Sequence, residues 1–227
     1  MKLSPATEGV ESHNWRIIRT EDGSDTLFSE KYQQHYHSRF GALTESRHLF
    51  LEAGFRGFSD AFAANNPFRG PVSVLEIGFG TGLNALLTLI ESGRNNVSVS
   101  YTALEPEPVP ENVWRQLNYP CILGSVDYSS IFARLHQSGR GSQEHVTGHF
   151  RLCVLTEGLG TFRPSPGSYH IIYFDAFDSA AQPELWHEEQ FKILYDSLLP
   201  GGLLATYSVK GAVVRAMRAA GFRVEKL

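Results

Sequence analysis

From about residue 71 onward, short apolar segments rich in β-branched residues alternate with segments that have apolar residues at helical spacing. The pattern predicts strands over 72–77, 97–104, 150–155, 169–177 and 203–208, and a further strand that begins at 222. It predicts helices over 83–92, 183–199 and 212–221. Such alternation is typical of right-handed crossovers in a mostly parallel sheet. The sequence therefore predicts an α/β fold with helices on both faces of the sheet.

Residues 1–70 do not follow this alternation. We expect them to form an N-terminal extension that packs on the domain of residues 71–227 or covers its site. The length of 227 residues is enough for one sizeable core. No apolar stretch is long enough to span a membrane, and the first residues lack the apolar segment of a secretory signal, so we expect a cytoplasmic protein.

Composition and charge narrow the function classes only slightly. The net charge is −4, and an acidic middle segment lies between two mildly basic ends. This balance neither indicates nor excludes nucleic-acid binding, which needs only a local basic patch. Cys121 and Cys153 do not have the spacing of metal ligands, so we expect buried, reduced thiols and no metal site.

A glycine-rich turn follows the first strand of this pattern. Gly78, Gly80 and Gly82 alternate with other residues, and Glu76 comes just before them. A dinucleotide-binding turn would have its third glycine at position 83, which is Leu83 here. An acid followed by G-x-G-x-G favours a ligand with a positively charged centre, such as the sulfonium and ammonium of S-adenosylmethionine. A purely structural turn is the alternative.

Acidic residues also follow three later strands. Glu105 ends the segment "ALE", where a carboxylate can accept hydrogen bonds from both hydroxyls of a ribose. Glu157 follows the third strand and could reach an adenine amino group. Asp175 follows the apolar fourth strand, where a carboxylate is costly unless it meets a ligand or hydrogen-bond donors. We interpret Asp175 as catalytic or substrate-orienting, with a turn or helix cap as the alternative.

The residues after Asp175 are candidates for substrate binding. Phe177 and Trp186 could stack on a flat base, although core packing is also common for such residues. Asp178 could contact substrate or serve only as a turn residue before "SAAQP".

The chain resembles the MnmC-like methyltransferases, the family of the methyltransferase domain of MnmC, a tRNA wobble-uridine modification enzyme. The resemblance lies in "DTLFSEKYQQHYHSRFGALTESRHLFLEAGF", "LEIGFGTGLNALLTL", "YTALEPEP", "IIYFDAFDSAAQPELW" and the segment from "LLPGGLLATYS" onward. It implies a class I, Rossmann-like fold and methyl transfer from S-adenosylmethionine to the aminomethyl group of the wobble uridine in certain tRNAs.

The resemblance also implies roles for individual residues. Phe79, Asn84 and the three glycines would belong to the cofactor site, with Glu105 at the ribose and Glu157 at the adenine. Asp175 would stand at the reacting centre, and Tyr36, Glu45 and Arg47 would close over the cofactor or the incoming nucleotide. Many members carry an FAD-dependent oxidoreductase domain, for which this chain has no room, so a separate enzyme would supply the amine. The alternatives are a methyltransferase or aminopropyltransferase for a small-molecule amine, and a non-catalytic S-adenosylmethionine-binding module.

Overall fold

The computed structural model describes residues 15–58, 70–125 and 127–226. Within these ranges the strands form two sheets. The first is antiparallel, in the order β1 (Trp15–Arg19), β2 (Asp25–Ser29), β3 (Gln34–His35). The second contains β4 (Val72–Ile77), β5 (Val99–Leu104), β6 (Glu144–His145), β7 (Phe150–Leu155), β8 (Tyr169–Phe174) and β9 (Leu198–Thr206). Its spatial order is β6-β7-β5-β4-β8-β9, and only β6 is antiparallel to its neighbour.

Helices connect and cover the six-stranded sheet. Helix α1 (Ala42–Ser46) continues as a π-helical segment over Arg47–Arg56. The helices that follow are α2 (Leu83–Arg94), α3 (Glu111–Trp114), α4 (Tyr119–Ile122), α5 (Asp127–Gln137), a short 3₁₀ helix (Pro183–Trp186), α6 (Glu188–Ser197) and α7 (Gly211–Ala219). No helix in these ranges is both long and apolar enough to cross a membrane.

Two hydrophobic clusters show that both faces of the sheet are covered. Alternate residues of β4 point to opposite faces, so Val74 belongs to one cluster and Leu75 to the other. The first cluster joins the sheet to α2, α5 and the π-helical segment, and the second joins it to α6 and α7. The predicted α/β fold, with a mostly parallel sheet between two helical layers, is confirmed.

Several element bounds match the sequence pattern, and one element does not. The strands predicted over 72–77 and 150–155 have those bounds. The strand expected from 222 is wrong, because residues 222–226 form no strand. There Phe222 packs edge-on against the ring of Tyr195, with 5.1 Å between the centroids.

Cys121 is exposed and Cys153 is partly exposed, so the expectation of buried thiols is also wrong, although both cysteines are free.

The described part of the N-terminal extension packs directly on the six-stranded sheet. The ring of Phe50 lies 5.2 Å from that of Tyr173 in β8. The side chain of Gln34 accepts a hydrogen bond from the backbone N–H of Asp178 (3.0 Å). Residues far apart in the sequence are thus held together, while the division into two units at residue 70 stays a prediction.

Candidate active site

The first and fourth strands of the α/β pattern, β4 and β8, end side by side. Ile77 pairs in parallel register with Phe174, and the backbone N–H of Asp175 donates to Ile77 O (3.0 Å). The partner of β4 on its other side is β5, so the chain order reverses at β4. Ligands of open α/β sheets bind at such a switch point, beyond the carboxyl ends of the strands.

A cleft of about 780 Å³ occupies this position. Its walls come from the glycine turn, the ends of β5 and β8, the segment after β7 and the N-terminal extension. The predicted site residues that line it are Tyr36, Glu45, Gly78, Phe79, Gly80, Glu105, Asp175, Phe177 and Asp178. A volume of this size is typical of pockets for small molecules and cofactors.

The glycine turn brings backbone close to two other parts of the cleft. Gly78 has φ +89°, and a Cβ there would lie 2.7 Å from the carbonyl oxygen of Asp175. Gly80 has φ +51°, and a Cβ there would lie 2.8 Å from Cδ1 of Tyr36. Side chains at these positions would be strained and would also collide with neighbouring atoms. Gly82 is the left-handed N-cap of α2 and does not line the cleft, so its contact with the cofactor stays a prediction.

Glu105 is buried at the tip of β5 and faces the cleft. Its Oε2 accepts from the backbone N–H of Gly80 (2.7 Å), and its Oε1 accepts from that of Glu107 (3.0 Å). Burial raises the pKa of this carboxyl to about 7, although both hydrogen bonds act in the opposite direction. Each carboxylate oxygen can accept a further hydrogen bond, so Glu105 can still hold hydroxyl groups of a ribose.

Asp175 is the acid at the end of β8, and its carboxyl is almost completely buried in the cleft wall. Its Oδ2 accepts from Nδ2 of Asn84 (2.8 Å). Burial raises its pKa to about 8, and the nearby carboxyl of Glu45 adds to this rise. Glu45 also lines the cleft, and burial raises its pKa as well. The cleft therefore holds two desolvated carboxyls that a cation would stabilise in the charged form.

Aromatic rings form the wall next to Asp175. Phe177 stacks on Tyr32, with 4.5 Å between the ring centroids, and meets Tyr36 edge-on at 4.9 Å. Tyr36 is held in turn by Nε1–H of Trp15, which donates to its hydroxyl (3.2 Å). Flat rings held in this way can present a stacking surface to a planar ligand.

Some predicted site residues lie away from the cleft. Glu76 is completely buried behind the turn, where its Oε1 accepts from Nδ2 of Asn84 (3.0 Å). Burial raises the pKa of Glu76, and the nearby Asp175 adds to the effect. Neither Glu76 nor Asn84 lines the cleft, and Asn84 also donates to Asp175, so cofactor contact by these two residues stays a prediction. Glu157 lies just outside the lining, next to Gly158, and its Oε2 accepts from Thr161 (3.4 Å).

Trp186 and Arg47 are also outside the cleft. Trp186 is buried against Phe174, and its Nε1–H donates to the carbonyl of Phe177 (2.8 Å), so it supports the cleft wall from behind. Arg47 lines a smaller cavity beside α2, together with Leu51. Direct substrate binding by Trp186 and Arg47 is therefore not what the structure shows.

Sequence reasoning missed His37, which the structure places in the cleft wall. Its Nε2 lies 2.9 Å from Oγ1 of Thr81 in the glycine turn, and its Nδ1 lies 4.0 Å from Oδ2 of Asp175. Burial lowers the pKa of this imidazole to about 4. The only available signal was its place in the segment "HYHS", two residues after another histidine. No group of three or more His, Cys, Asp or Glu side chains in the described ranges could hold a metal ion.

Comparison with known proteins shows what the chain is similar to. Residues 142–227 match the family model described as S-adenosyl-L-methionine-dependent methyltransferase. The tRNA 5-methylaminomethyl-2-thiouridine biosynthesis bifunctional protein MnmC of Nitrosospira multiformis is 26% identical over 88% of this chain. Its counterpart from Cupriavidus metallidurans is 28% identical over 92% of this chain. The chain is thus similar to the MnmC-like, S-adenosylmethionine-dependent methyltransferases.

The match covers only part of each relative. The chain spans 33% and 31% of those two MnmC proteins, or about a third of their length. The crystal structure of MNMC2 from Aquifex aeolicus superposes with a TM-score of 0.71 at 22% identity. That comparison covers 94% of this chain and 66% of the other, and it supports the fold.

The cofactor of this methyltransferase fits the residues of the cleft. At Gly80 the backbone leaves open the space that a Cβ would fill beside Tyr36. Glu105 offers acceptors for ribose hydroxyls, and the carboxyls of Asp175 and Glu45 suit positively charged groups. These observations agree with S-adenosylmethionine as the ligand of the glycine turn.

Proposed function

We propose that this methyltransferase transfers a methyl group to the amine of the aminomethyl substituent on the wobble uridine of tRNA. The names of its MnmC relatives, which refer to 5-methylaminomethyl-2-thiouridine biosynthesis in tRNA, support this acceptor. Because the chain spans about a third of those proteins, their whole activity is carried over here only as a proposal. A tRNA acceptor also implies a cytoplasmic protein.

The observation that carries the proposal is a pair of carboxyls in the cleft beside the glycine turn, that of Asp175 almost completely buried and that of Glu45 partly buried. An alkyl amine is protonated at neutral pH, since the side chain of lysine has a pKa of about 10.4. Asp175 and Glu45 line the same cleft and gain stability as carboxylates when an ammonium group is close. They are therefore suited to bind the acceptor as an ammonium ion.

Asp175 is the better placed of the two for proton transfer. An ammonium nitrogen has no free lone pair, so it must lose a proton before it can attack a methyl group. The pKa of Asp175 is raised to about 8, so its proton affinity is closer to that of an amine than the proton affinity of an ordinary carboxylate is. Bound S-adenosylmethionine supplies an electrophilic methyl group, and Asp175 accepts the proton that frees the amine.

The aromatic wall matches a planar acceptor. Phe177 and Tyr36 lie beside Asp175, so a base stacked on these rings would bring its aminomethyl arm toward the carboxyl. Such stacking is common when proteins read bases that have left their own stack. Since the reaction consumes an amine, another activity must generate the aminomethyl group before this step.

Incubation of the protein with methyl-labelled S-adenosylmethionine and tRNA from a strain that lacks the modification tests the proposal. We expect label in one nucleoside, which should be identified as methylaminomethyluridine or its thiolated form after digestion to nucleosides. Fully modified tRNA from the parent strain is the matched control and should accept no label. Transfer to free amines but not to tRNA would instead indicate a small-molecule methyltransferase.

Parallel reactions distinguish the remaining alternatives. Turnover of decarboxylated S-adenosylmethionine with a free diamine would indicate an aminopropyltransferase. Tight binding of S-adenosylmethionine without transfer to any of these acceptors would indicate a non-catalytic binding module.

A further inference from the structure

We propose that His37 is a positioning residue that holds the carboxylate of Asp175 in place through its Nδ1–H while Thr81 fixes the imidazole from the other side. The inference deepens the proposed function and rests on it for the identity of the amine. It gives the N-terminal extension a part in catalysis that neither the glycine turn nor the strand-end acids provide.

The backbone of His37 is fixed before its side chain is considered. Its N–H donates to Oγ1 of Thr26 (3.0 Å), and Thr26 Oγ1–H donates back to its carbonyl oxygen (3.4 Å). Thr26 is the second residue of β2 and is completely buried. The ring of His37 is therefore delivered to the cleft wall by the three-stranded sheet of the extension.

The two ring nitrogens of His37 have different surroundings. Nε2 shares a hydrogen bond with the hydroxyl of Thr81 (2.9 Å), which belongs to the glycine turn. Nδ1 is buried and has no hydrogen-bond partner among the described residues, and the nearest acidic atom is Oδ2 of Asp175 at 4.0 Å. A buried nitrogen without a partner is costly, so Nδ1 gains most from a group that it can approach closely.

The carboxylate of Asp175 decides which nitrogen carries the proton. A negative charge attracts an N–H and repels a lone pair, so it favours the tautomer with hydrogen on Nδ1. Nε2 then accepts from the hydroxyl of Thr81, which agrees with their 2.9 Å separation. Catalytic hydrogen bonds are often long in the empty enzyme and shorten in the complex with substrate. The gap of 4.0 Å is of that kind.

The charge around Asp175 explains why such a donor is useful. The titratable groups that face or surround Asp175, besides His37, come from several elements of the fold: Glu45, Glu76, Tyr101, Tyr119 and Tyr207. All are acids, so none stabilises a negative charge on Asp175 electrostatically. Asn84 donates one hydrogen bond to Oδ2, and His37 can add a second donor. Together they would leave Oδ1 available to the amine.

A pair of variants separates the two nitrogens of His37. In His37→Asn the side-chain amide nitrogen can take the position of Nδ1, while in His37→Gln it can take the position of Nε2. His37→Asn therefore keeps the donor to Asp175 and loses the contact with Thr81, and His37→Gln does the reverse. A role confined to packing would make no such distinction.

The decisive measurement is the titration of Asp175 by carbon-13 NMR of the labelled carboxyl, in the presence of the product S-adenosylhomocysteine. Loss of a donor to the charged form raises the pKa, so we expect His37→Gln to raise that of Asp175 by about one unit, a tenfold higher proton affinity. We expect a smaller change in His37→Asn. An unchanged titration in His37→Gln, or equal changes in both variants, would overturn the proposal.

The second measurement is kcat and its dependence on pH. With labelled S-adenosylmethionine and unmodified tRNA, we expect His37→Gln to lower kcat about tenfold near neutral pH and to move the acidic limb of the pH profile upward. The KM for S-adenosylmethionine should change little, and His37→Asn should recover part of kcat. A normal pH profile in His37→Gln would also contradict the role.

The two proposals can fail separately. If the tRNA is not methylated by the wild-type protein, the proposed acceptor is wrong, while the titration of Asp175 still tests His37. If His37→Gln does not fold, Thr81→Val replaces it, because removal of the hydroxyl frees the imidazole without touching Asp175. We expect Thr81→Val to change the titration of Asp175 in the same direction, and no change would overturn the inference.

Discussion

Replacement of Asp175 by asparagine tests the proposed chemistry most directly. The substitution preserves shape, and the new carbonyl oxygen can accept the hydrogen bond that Asn84 now donates to Oδ2 (2.8 Å). What disappears is the negative charge that binds an ammonium group and the oxygen that takes its proton. Asp175→Asn should therefore fold and still bind S-adenosylmethionine, because we expect the ribose contacts to come from Glu105 at another strand.

The expected loss is in turnover. A positioned general base contributes typically about 10²–10⁴ in rate, so kcat of Asp175→Asn should fall by that factor while the affinity for S-adenosylmethionine stays within about twofold. Single-turnover methylation of tRNA with labelled cofactor measures the first quantity, and calorimetry measures the second. Full turnover of Asp175→Asn at neutral pH would show that Asp175 is only a turn residue.

The pH dependence gives an independent reading of the same residue. Burial and Glu45 raise the pKa of Asp175 from 3.8 to about 8, so the carboxylate is lost as the pH falls through this value in the empty cleft. Positive groups of bound ligands lower the pKa, so the acidic limb of kcat should lie below pH 8 and should be absent in Asp175→Asn.

The free energy of unfolding should change with pH in the opposite direction to kcat. Because the pKa in the folded protein exceeds its ordinary value, the folded state retains a proton that the unfolded state loses between pH 3.8 and about 8. The free energy of unfolding therefore decreases as the pH rises through that window. Asp175→Asn removes this loss and should be more stable than the wild-type protein above pH 8, by an amount on the order of a few kcal/mol. Urea unfolding at pH 6 and pH 9 measures the difference.

The other predictions concern the cofactor site and its surroundings. Glu105→Gln should weaken S-adenosylmethionine binding by about 1–3 kcal/mol in calorimetry, since it removes a charged acceptor; an unchanged affinity would mean that the acid serves only the backbone of the turn. Gly80→Val should abolish cofactor binding, because its Cβ would lie 2.8 Å from Cδ1 of Tyr36, while circular dichroism should show an intact fold. Arg47→Ala should leave kcat and cofactor affinity within about twofold, because an exposed surface substitution away from the cleft has little effect; a large loss would return Arg47 to the site.

The sequence predicted the sheet and the location of the site well, for a clear physical reason. Short segments rich in apolar and β-branched residues indicate strands, so β4 and β7 had visible bounds. Parallel strands end at one edge of a sheet, so the glycine turn and Asp175 were expected to share a cleft once their strands were neighbours. The cleft in the structure contains both.

The direction in which individual side chains point was less predictable from the sequence. Glu45 and Arg47 are two residues apart on one helical stretch, and residues with that spacing point to different sides. One of them therefore lines the cleft while the other lines the cavity beside α2. Trp186 belongs to a short 3₁₀ helix, where spacing alone does not reveal which side faces the core. His37 was missed because the residues that it approaches in the cleft wall, Thr81 and Asp175, are distant from it in sequence.

The order in which the ribosome makes the chain delays the folding of the N-terminal extension. Its strands leave the ribosome before those of the six-stranded sheet, but the contact between Gln34 and Asp178 joins residues 144 positions apart. The cost of closing a chain segment grows slowly with its length, yet this contact cannot form at all until β8 has been made. We therefore expect the extension to dock late in folding, after the central strands have assembled. Binding of the cofactor would then report that the last step of folding is complete.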